Sequence, residues 1–287
     1  MELQIEKSVL EIGLEKPLKV LHVTDTHFNL TDGRDSPEIR DALLLSQERN
    51  GDTGGELFPK YFDAMVDYAN ENCDLLVHTG DFLSHLSRLS MERSMECLKK
   101  AKNYVYIAGN HDYVHLIFDG WEDDAYRMNS YPETSSVMGK ELLFNAREFG
   151  GVDFVGIDDS YNQVEDWQTW RLRREAEKGL PIVLLMHVPI FEESLFEKTI
   201  AAFPGEPDLV GCDEEHLLRG ANEYRAVRYR PSEATMRFVD YVRSEPLIKA
   251  VLTGHLHFNH ESVLPSGAVQ YVTRTGIDKA AREITFC

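Results

Sequence analysis

Five short apolar runs in this chain stop at the same kind of residue. "LKVLHVTD" (18–25) leads into Asp25 and His27, "DLLVHTGD" (74–81) ends at Asp81, and "YVYIAGN" (104–110) delivers Asn110, His111 and Asp112 side by side. "PIVLLMH" (181–187) ends at His187, and "IKAVLTGH" (248–255) ends at His255, with His257 two residues on. Runs of β-branched, aromatic and aliphatic residues of this length predict buried strands. Polar side chains at the tip of such a strand have lost solvent and need partners. Loops at the carboxyl edge of an open sheet converge on one place. Five such tips therefore predict one shared site, and a fold that gathers the strand ends around it.

The rest of the chain fits that frame. Amphipathic stretches at 58–72, 89–102, 164–178 and 232–245 read as helices, and their alternation with the apolar runs predicts an α/β domain. Further strands are expected at 152–158, 268–273 and 282–286, and the opening "LQIEKSVLEI" alternates like an edge strand or hairpin. In the 164–178 helix the tryptophans are expected to pack on the sheet while arginine and glutamate face water. Residues 28–57 and 189–230 carry no readable period. They are read as loop insertions in a single domain over 1–287, either plain surface or the walls of a substrate pocket.

The tips have a definite chemistry. Residues two apart in an extended segment face the same way, so Asp25 with His27 and His255 with His257 are two ligand pairs. Gly80, Gly109 and Gly254 each precede a polar tip, where glycine permits a sharp turn or a close backbone approach. Carboxylates, imidazoles and an amide without thiolates suit divalent transition metals such as Mn, Fe, Zn, Co or Ni, and hold too much nitrogen for a Mg or Ca cage. Cys73, Cys97, Cys212 and Cys287 are scattered and form no CxxC pair, against both a disulfide framework and a thiolate zinc site. The donors exceed what one tetrahedral ion takes. Two ions about 3.5–4 Å apart, sharing one carboxylate, would use them all.

Bulk charge sets limits on the partner. The formal net charge of −19 opposes a long polyanion, while two divalent ions facing two ligand carboxylates leave a locally positive site for a small anion. No apolar stretch approaches a membrane span, and "MELQIEKSVLEIG" is too charged for a signal peptide, so a soluble cytoplasmic chain is expected.

The ordered set D-x-H, G-D, G-N-H-D, a lone H and G-H-x-H, spanning residues 25 to 257, resembles the calcineurin-like metallophosphoesterase superfamily. The resemblance implies a two-sheet α/β sandwich flanked by helices. It also implies that Asp25, His27, Asp81 and His257 hold one ion and that Asp81, Asn110, His187 and His255 hold a second, with Asp81 bridging. His111 would be the acid that protonates the leaving oxygen, oriented by Asp112. The implied activity is a dinuclear-metal-dependent phosphoester hydrolase (Mn, Fe or Zn), in which a metal-bridging hydroxide attacks a phosphodiester or phosphomonoester of a small molecule or nucleotide. Serine/threonine protein phosphatases carry Asp-Arg-Gly and GNHE where this chain has "GDFLSH" and "GNHD", and purple acid phosphatases carry tyrosine where it has Ser84. What remains resembles the bacterial phosphodiesterase and phosphatase group. The alternatives are a DNA nuclease of the same superfamily, opposed by the acidic balance, and a non-catalytic metal-binding scaffold for protein partners, opposed by the intact motif set.

Other candidates have plainer readings. His22 and His78 lie inside strands and are expected to hydrogen-bond in the core; His216 reads as a solvated helix residue. His85, His115 and His260 follow motifs closely enough to line the pocket. Arg228 and Arg230 in "RAVRYRP" are surface arginines or donors to a substrate phosphate.

Overall fold

The computed structural model describes residues 1–114, 124–220, 226–227 and 229–287, so His115 and Arg228 lie outside the described residues. The first sheet runs β2 (Leu18–Val23), β3 (Leu75–Thr79) and β4 (Tyr104–Ile107) in parallel. On the other side of β2 lie β11 (Ala280–Phe286), antiparallel to it, and at the edge β1 (Gln4–Leu10), parallel to β11. The second sheet sets β6 (Val152–Ile157), β7 (Ile182–Leu185), β8 (Ile248–Thr253) and β10 (Val269–Val272) in parallel. It is closed at its edges by antiparallel β5 (Phe144–Phe149) and β9 (His260–Val263).

The central strands are buried on both faces, which is why they read as continuous apolar runs rather than alternating ones. Val20, Val77 and Ile107 of the first sheet meet Phe154, Leu185 and Leu252 of the second in a dry layer between the sheets. The opposite face of the first sheet packs Leu21 and Leu76 against Phe62 and Met65 of α2 (Leu57–Asn72) and Met91 of α3 (Arg88–Leu98). The second sheet packs Val155, Leu184 and Val251 against Leu172 of α5 (Asp166–Ala176) and Phe238 and Val242 of α8 (Glu233–Val242). The result is a two-sheet α/β sandwich flanked by helices, as the resemblance implied. Phe154 is wholly buried in the inter-sheet layer, so truncating it to alanine is expected to cost about 3–5 kcal/mol.

Several elements differ from the sequence reading. The unpatterned segments hold helices: α1 (Pro37–Asn50) in the first, α6 (Glu193–Ala202) and α7 (Glu214–Gly220) in the second. Only Leu43 and Gln47 of α1 are buried, so it has no apolar stripe to read. Its end signals are in the sequence nonetheless: Ser36 accepts the Ile39 N–H, Pro37 opens the helix, and Gly51 closes it with φ 64°. The helix α4 (Asp124–Met138) carries Pro132 in its interior, which masks it in the sequence pattern. Strand β5 falls outside the sequence reading, although the Gly150–Gly151 pair that turns it into β6, both at positive φ, is a hairpin signal. In α5 the tryptophans do not form the buried face: Trp167 only borders Phe144 of the edge strand β5. Gln168, Thr169, Leu172 and Ala176 face inward, leaving Trp167 43% and Trp170 62% exposed. Gln168 wins the buried place because its amide donates to the Leu143 and Asp158 carbonyls and accepts the Glu165 N–H.

Candidate metal centre

The parallel strands deliver their carboxyl ends to one edge of the sandwich, and the polar tips meet there. Past the ends of β2 and β3 the two chains stay bonded, the Asp25 N–H donating to the Gly80 carbonyl at 3.0 Å and the His27 N–H to the Asp81 carbonyl at 3.0 Å. The backbone then turns hard. Among the described residues seven non-glycine residues have positive φ, and five of them are Asp25 (52°), His27 (46°), Asp81 (56°), His255 (66°) and His257 (56°). Each such residue stores on the order of 1–3 kcal/mol, tolerated best by the Asp and His types found here. Two glycines make the close approach possible. A Cβ on Gly109 would sit 2.3 Å from Asp81 Oδ1, and one on Gly254 would sit 1.9 Å from Thr24 Oγ1 and 2.3 Å from Asp25 Oδ2.

The side chains converge on two adjoining points. At the first, His257 Nε2 lies 3.3 Å from Asp25 Oδ1 and 3.1 Å from His27 Nε2, which is 3.8 Å from Asp81 Oδ2. At the second, His187 Nε2 lies 3.2 Å from the same Asp81 Oδ2 and 3.3 Å from His255 Nδ1. Donors about 2.1 Å from one ion stand roughly 3–4 Å apart, so these are coordination spacings, with Asp81 Oδ2 common to both sets. Orphaned atoms carry the test of fit. Asp25 Oδ1 and Asn110 Oδ1 are buried without a hydrogen-bond partner, a costly arrangement unless a cation completes it. The residues fit a pair of divalent ions.

The ligand groups are braced from behind. His27 Nδ1 faces the Leu83 carbonyl at 3.3 Å and His187 Nδ1 the Thr79 carbonyl at 2.8 Å, which turns each Nε2 inward. Asp25 Oδ2 accepts from Thr24 Oγ1 and the His255 N–H, and Asp81 Oδ1 accepts the His111 N–H. Burial pushes His27 down to about 3, so its ring is neutral and ready to bind. Burial opposes charge on Asp25 as well, yet His257, 3.3 Å from its Oδ1, holds the carboxyl below the usual range. For His187 the burial penalty is outweighed by the charge and hydrogen bond of Asp81, which lift it well above its ordinary value.

The carboxylate of Asp112 accepts the backbone N–H groups of Asp81, Leu83 and Gly109, and so shapes the loops that carry the cluster. Burial, then the charge of Asp81, push it up to about 8. The His111 ring meets the Ser84 carbonyl through Nδ1 at 2.8 Å and stands edge-on to His27. Ser84 thus serves through its backbone, while its hydroxyl donates to the His27 carbonyl.

His85 lies at the site: it is buried, its Nδ1 has no partner, and its ring is 6.5 Å from that of His111. His260 turns away to Ser194 of α6, and Arg230 ion-pairs with Glu214 at the surface. His22 sits between Thr79 and Thr273, and His78 bonds Thr26 and stacks on Phe82, as expected of core residues. His216 is less solvated than expected, wedged between Phe191 and Phe196 and ion-paired with Asp213 and Glu193. The sequence reading missed two carboxylates. Asp159, one residue past the tip of the 152–158 run, accepts the N–H groups of His187 and Val188 and is pushed up to about 7 by burial. Asp208, in the unpatterned second segment, reaches His255 Nε2 at 2.9 Å; no sequence signal marks it.

The fold has relatives among solved structures. A dimetal phosphatase from Danio rerio is similar with a TM-score of 0.50 at 13% identity, over 91% of this chain and 88% of that one. A purple acid phosphatase from yellow lupin (Lupinus luteus) seeds gives a TM-score of 0.50 at 11% identity, over 91% of this chain and 44% of that one. No curated protein sequence matches the chain. The profile of the calcineurin-like phosphoesterases matches residues 18–259, a span that takes in every candidate ligand from Asp25 to His257, and the chain belongs to that family of phosphoester-hydrolysing enzymes.

Proposed function

We propose that the chain hydrolyses a phosphodiester or phosphomonoester of a small molecule or nucleotide, using two divalent transition ions at the strand-end cluster. The observation that carries this reading is the pair of orphaned oxygens, Asp25 Oδ1 and Asn110 Oδ1, buried at the strand ends that also deliver Asp81 and His187. In this reading Asp25, His27, Asp81 and His257 hold one ion, and Asp81, Asn110, His187 and His255 the other. Bound there, the ions would acidify water to a pKa of about 7 and neutralise phosphoryl oxygens. The chain's own part is positioning and proton delivery. Asp81 fixes the spacing of the two sets through one shared oxygen, and the left-handed loops hold the donors before a substrate arrives. His111, its Nδ1–H donated to the Ser84 carbonyl, carries on Nε2 the proton given to the departing alkoxide. The buried Asp112 and Asp159 keep the backbone under the ligands in register.

Hydrolysis of bis-p-nitrophenyl phosphate by metal-free protein reloaded with Mn, Fe or Zn tests the proposal. Turnover that requires metal and disappears in Asp81→Ala is the expected result. Absence of turnover with every metal, across a panel of phosphomonoesters and diesters, would refute it and leave a scaffold.

A further inference from the structure

The backing of His255 differs from that of the other ligand imidazoles. Where His27 and His187 lean their Nδ1 on backbone carbonyls and present Nε2, His255 presents Nδ1, 3.3 Å from His187 Nε2, and turns Nε2 to a carboxylate, Asp208 Oδ2, at 2.9 Å. That carboxylate comes from outside the five strand tips. It lies between α6 and α7, it is buried, and its other oxygen accepts the Asn162 amide in the loop after β6. A neutral imidazole has one N–H. A carboxylate at Nε2 keeps the hydrogen on that nitrogen, leaves the lone pair on Nδ1, and makes the ring a stronger donor.

We propose that Asp208 is the positioning residue of the second ion: it selects the tautomer in which His255 binds through Nδ1, and it ties the 189–230 segment to the loading of that position. This rests on the reading that two ions bind at the cluster. Among the described residues Asp208 bonds His255 and Asn162 and none of the donors peculiar to the first ion, Asp25, His27 and His257, so its loss acts on the second ion. Arg219, whose guanidinium pairs with Glu193 and Glu197 within the same segment, offers a control that loosens the segment without touching His255.

The test titrates Mn(II) into the metal-free full chain by calorimetry and follows the electron paramagnetic resonance of the bound ions. Wild type is compared with Asp208→Asn, Asn162→Gly and Arg219→Ala, after circular dichroism has established folding. The glycine accepts the φ of 65° that Asn162 adopts, so it frees Asp208 without straining the loop and carries the test if Asp208→Asn does not fold. Wild type and Arg219→Ala are expected to bind two ions and show the spectrum of an interacting pair. Asp208→Asn should keep the first affinity, weaken the second about 10–100-fold, and show an isolated ion at one equivalent. Asn162→Gly should weaken the second ion by less. Two undiminished ions in Asp208→Asn overturn the proposal, as does equal weakening of both ions or the same loss in Arg219→Ala. A wild type that takes up no pair fails the underlying dinuclear reading instead, and is told apart by that.

Discussion

Gly109 offers the sharpest test of how tightly the centre is built. Its φ of −108° is open to any residue, so Gly109→Ala brings no backbone strain and only one methyl group. That methyl would lie 2.3 Å from Asp81 Oδ1 and 2.6 Å from Asp81 N. Relief to ordinary contact near 3.4 Å needs a displacement of about 1 Å, and the backbone nitrogen cannot swing aside as a flexible side chain would. The shift falls on the carboxylate common to both donor sets, and on the His111 N–H that bonds its Oδ1. A misplacement of about 1 Å at reacting groups lowers turnover on the order of 10²-fold, and overpacking costs about 1–3 kcal/mol of stability. Gly33→Ala is the control, because a Cβ there meets nothing within 4 Å and φ is not positive. Turnover of bis-p-nitrophenyl phosphate at saturating Mn, bound metal, and urea unfolding are measured on all three proteins. If Gly109→Ala keeps turnover within threefold of wild type while Gly33→Ala does the same, the argument that Asp81 is held to sub-ångström tolerance is wrong.

Four further outcomes are expected. His111→Ala should retain its metals and lose about 10²–10⁴-fold in turnover of substrates with alkoxide leaving groups, with a smaller loss for nitrophenolate; equal losses would remove the proton-donor role. Burial lowers His22 from 6.5 to about 3, so the stability it gives as a neutral ring is complete above pH 6.5 and drains as pH falls toward 3. Metal-free wild type should therefore lose about 1.4 kcal/mol per pH unit more than His22→Gln over pH 6 to 4, and parallel pH profiles of urea unfolding would contradict this. Ser84, in place of a tyrosine, implies a metal-loaded enzyme without an intense visible charge-transfer band, which a simple absorption spectrum checks. Turnover of a small phosphodiester should respond mildly to salt, whereas a steep decline with rising salt would point to a polymeric nucleic-acid substrate.

The site was more legible in the sequence than the scaffold around it. Asp25, His27, Asp81, Asn110, His187, His255 and His257 announce themselves because buried strands must end abruptly to present them, leaving polar residues after apolar runs. The structure brings all of them to one edge. The central strands were readable for the same reason, since burial on both faces leaves few polar residues among them, His22 and His78 being exceptions that bond within the core. What hid were groups that act through backbone or across long separations. Ser84 supports His111 by its carbonyl, which any residue type could supply. Asp208 finds His255 forty-seven positions away, through a segment whose helices present few apolar residues to a core. The bonds of Asp112 to the Asp81 and Gly109 amides were hidden in the same way, because only the 3-10 turn at Asn110–Tyr113 sends its carboxylate there.

Each donor set draws on both sheets: Asp25, His27, Asp81 and Asn110 follow strands of the first, and His187, His255 and His257 follow strands of the second. The cage is therefore an assembly event rather than a local motif. An excised half of the polypeptide would hold only part of either donor set, so complete capture of a cation would need the two halves closed on each other. Thereafter the cargo rivets them together at the rim, so stripping it should loosen the seam between the sheets before it disturbs the interior of either one.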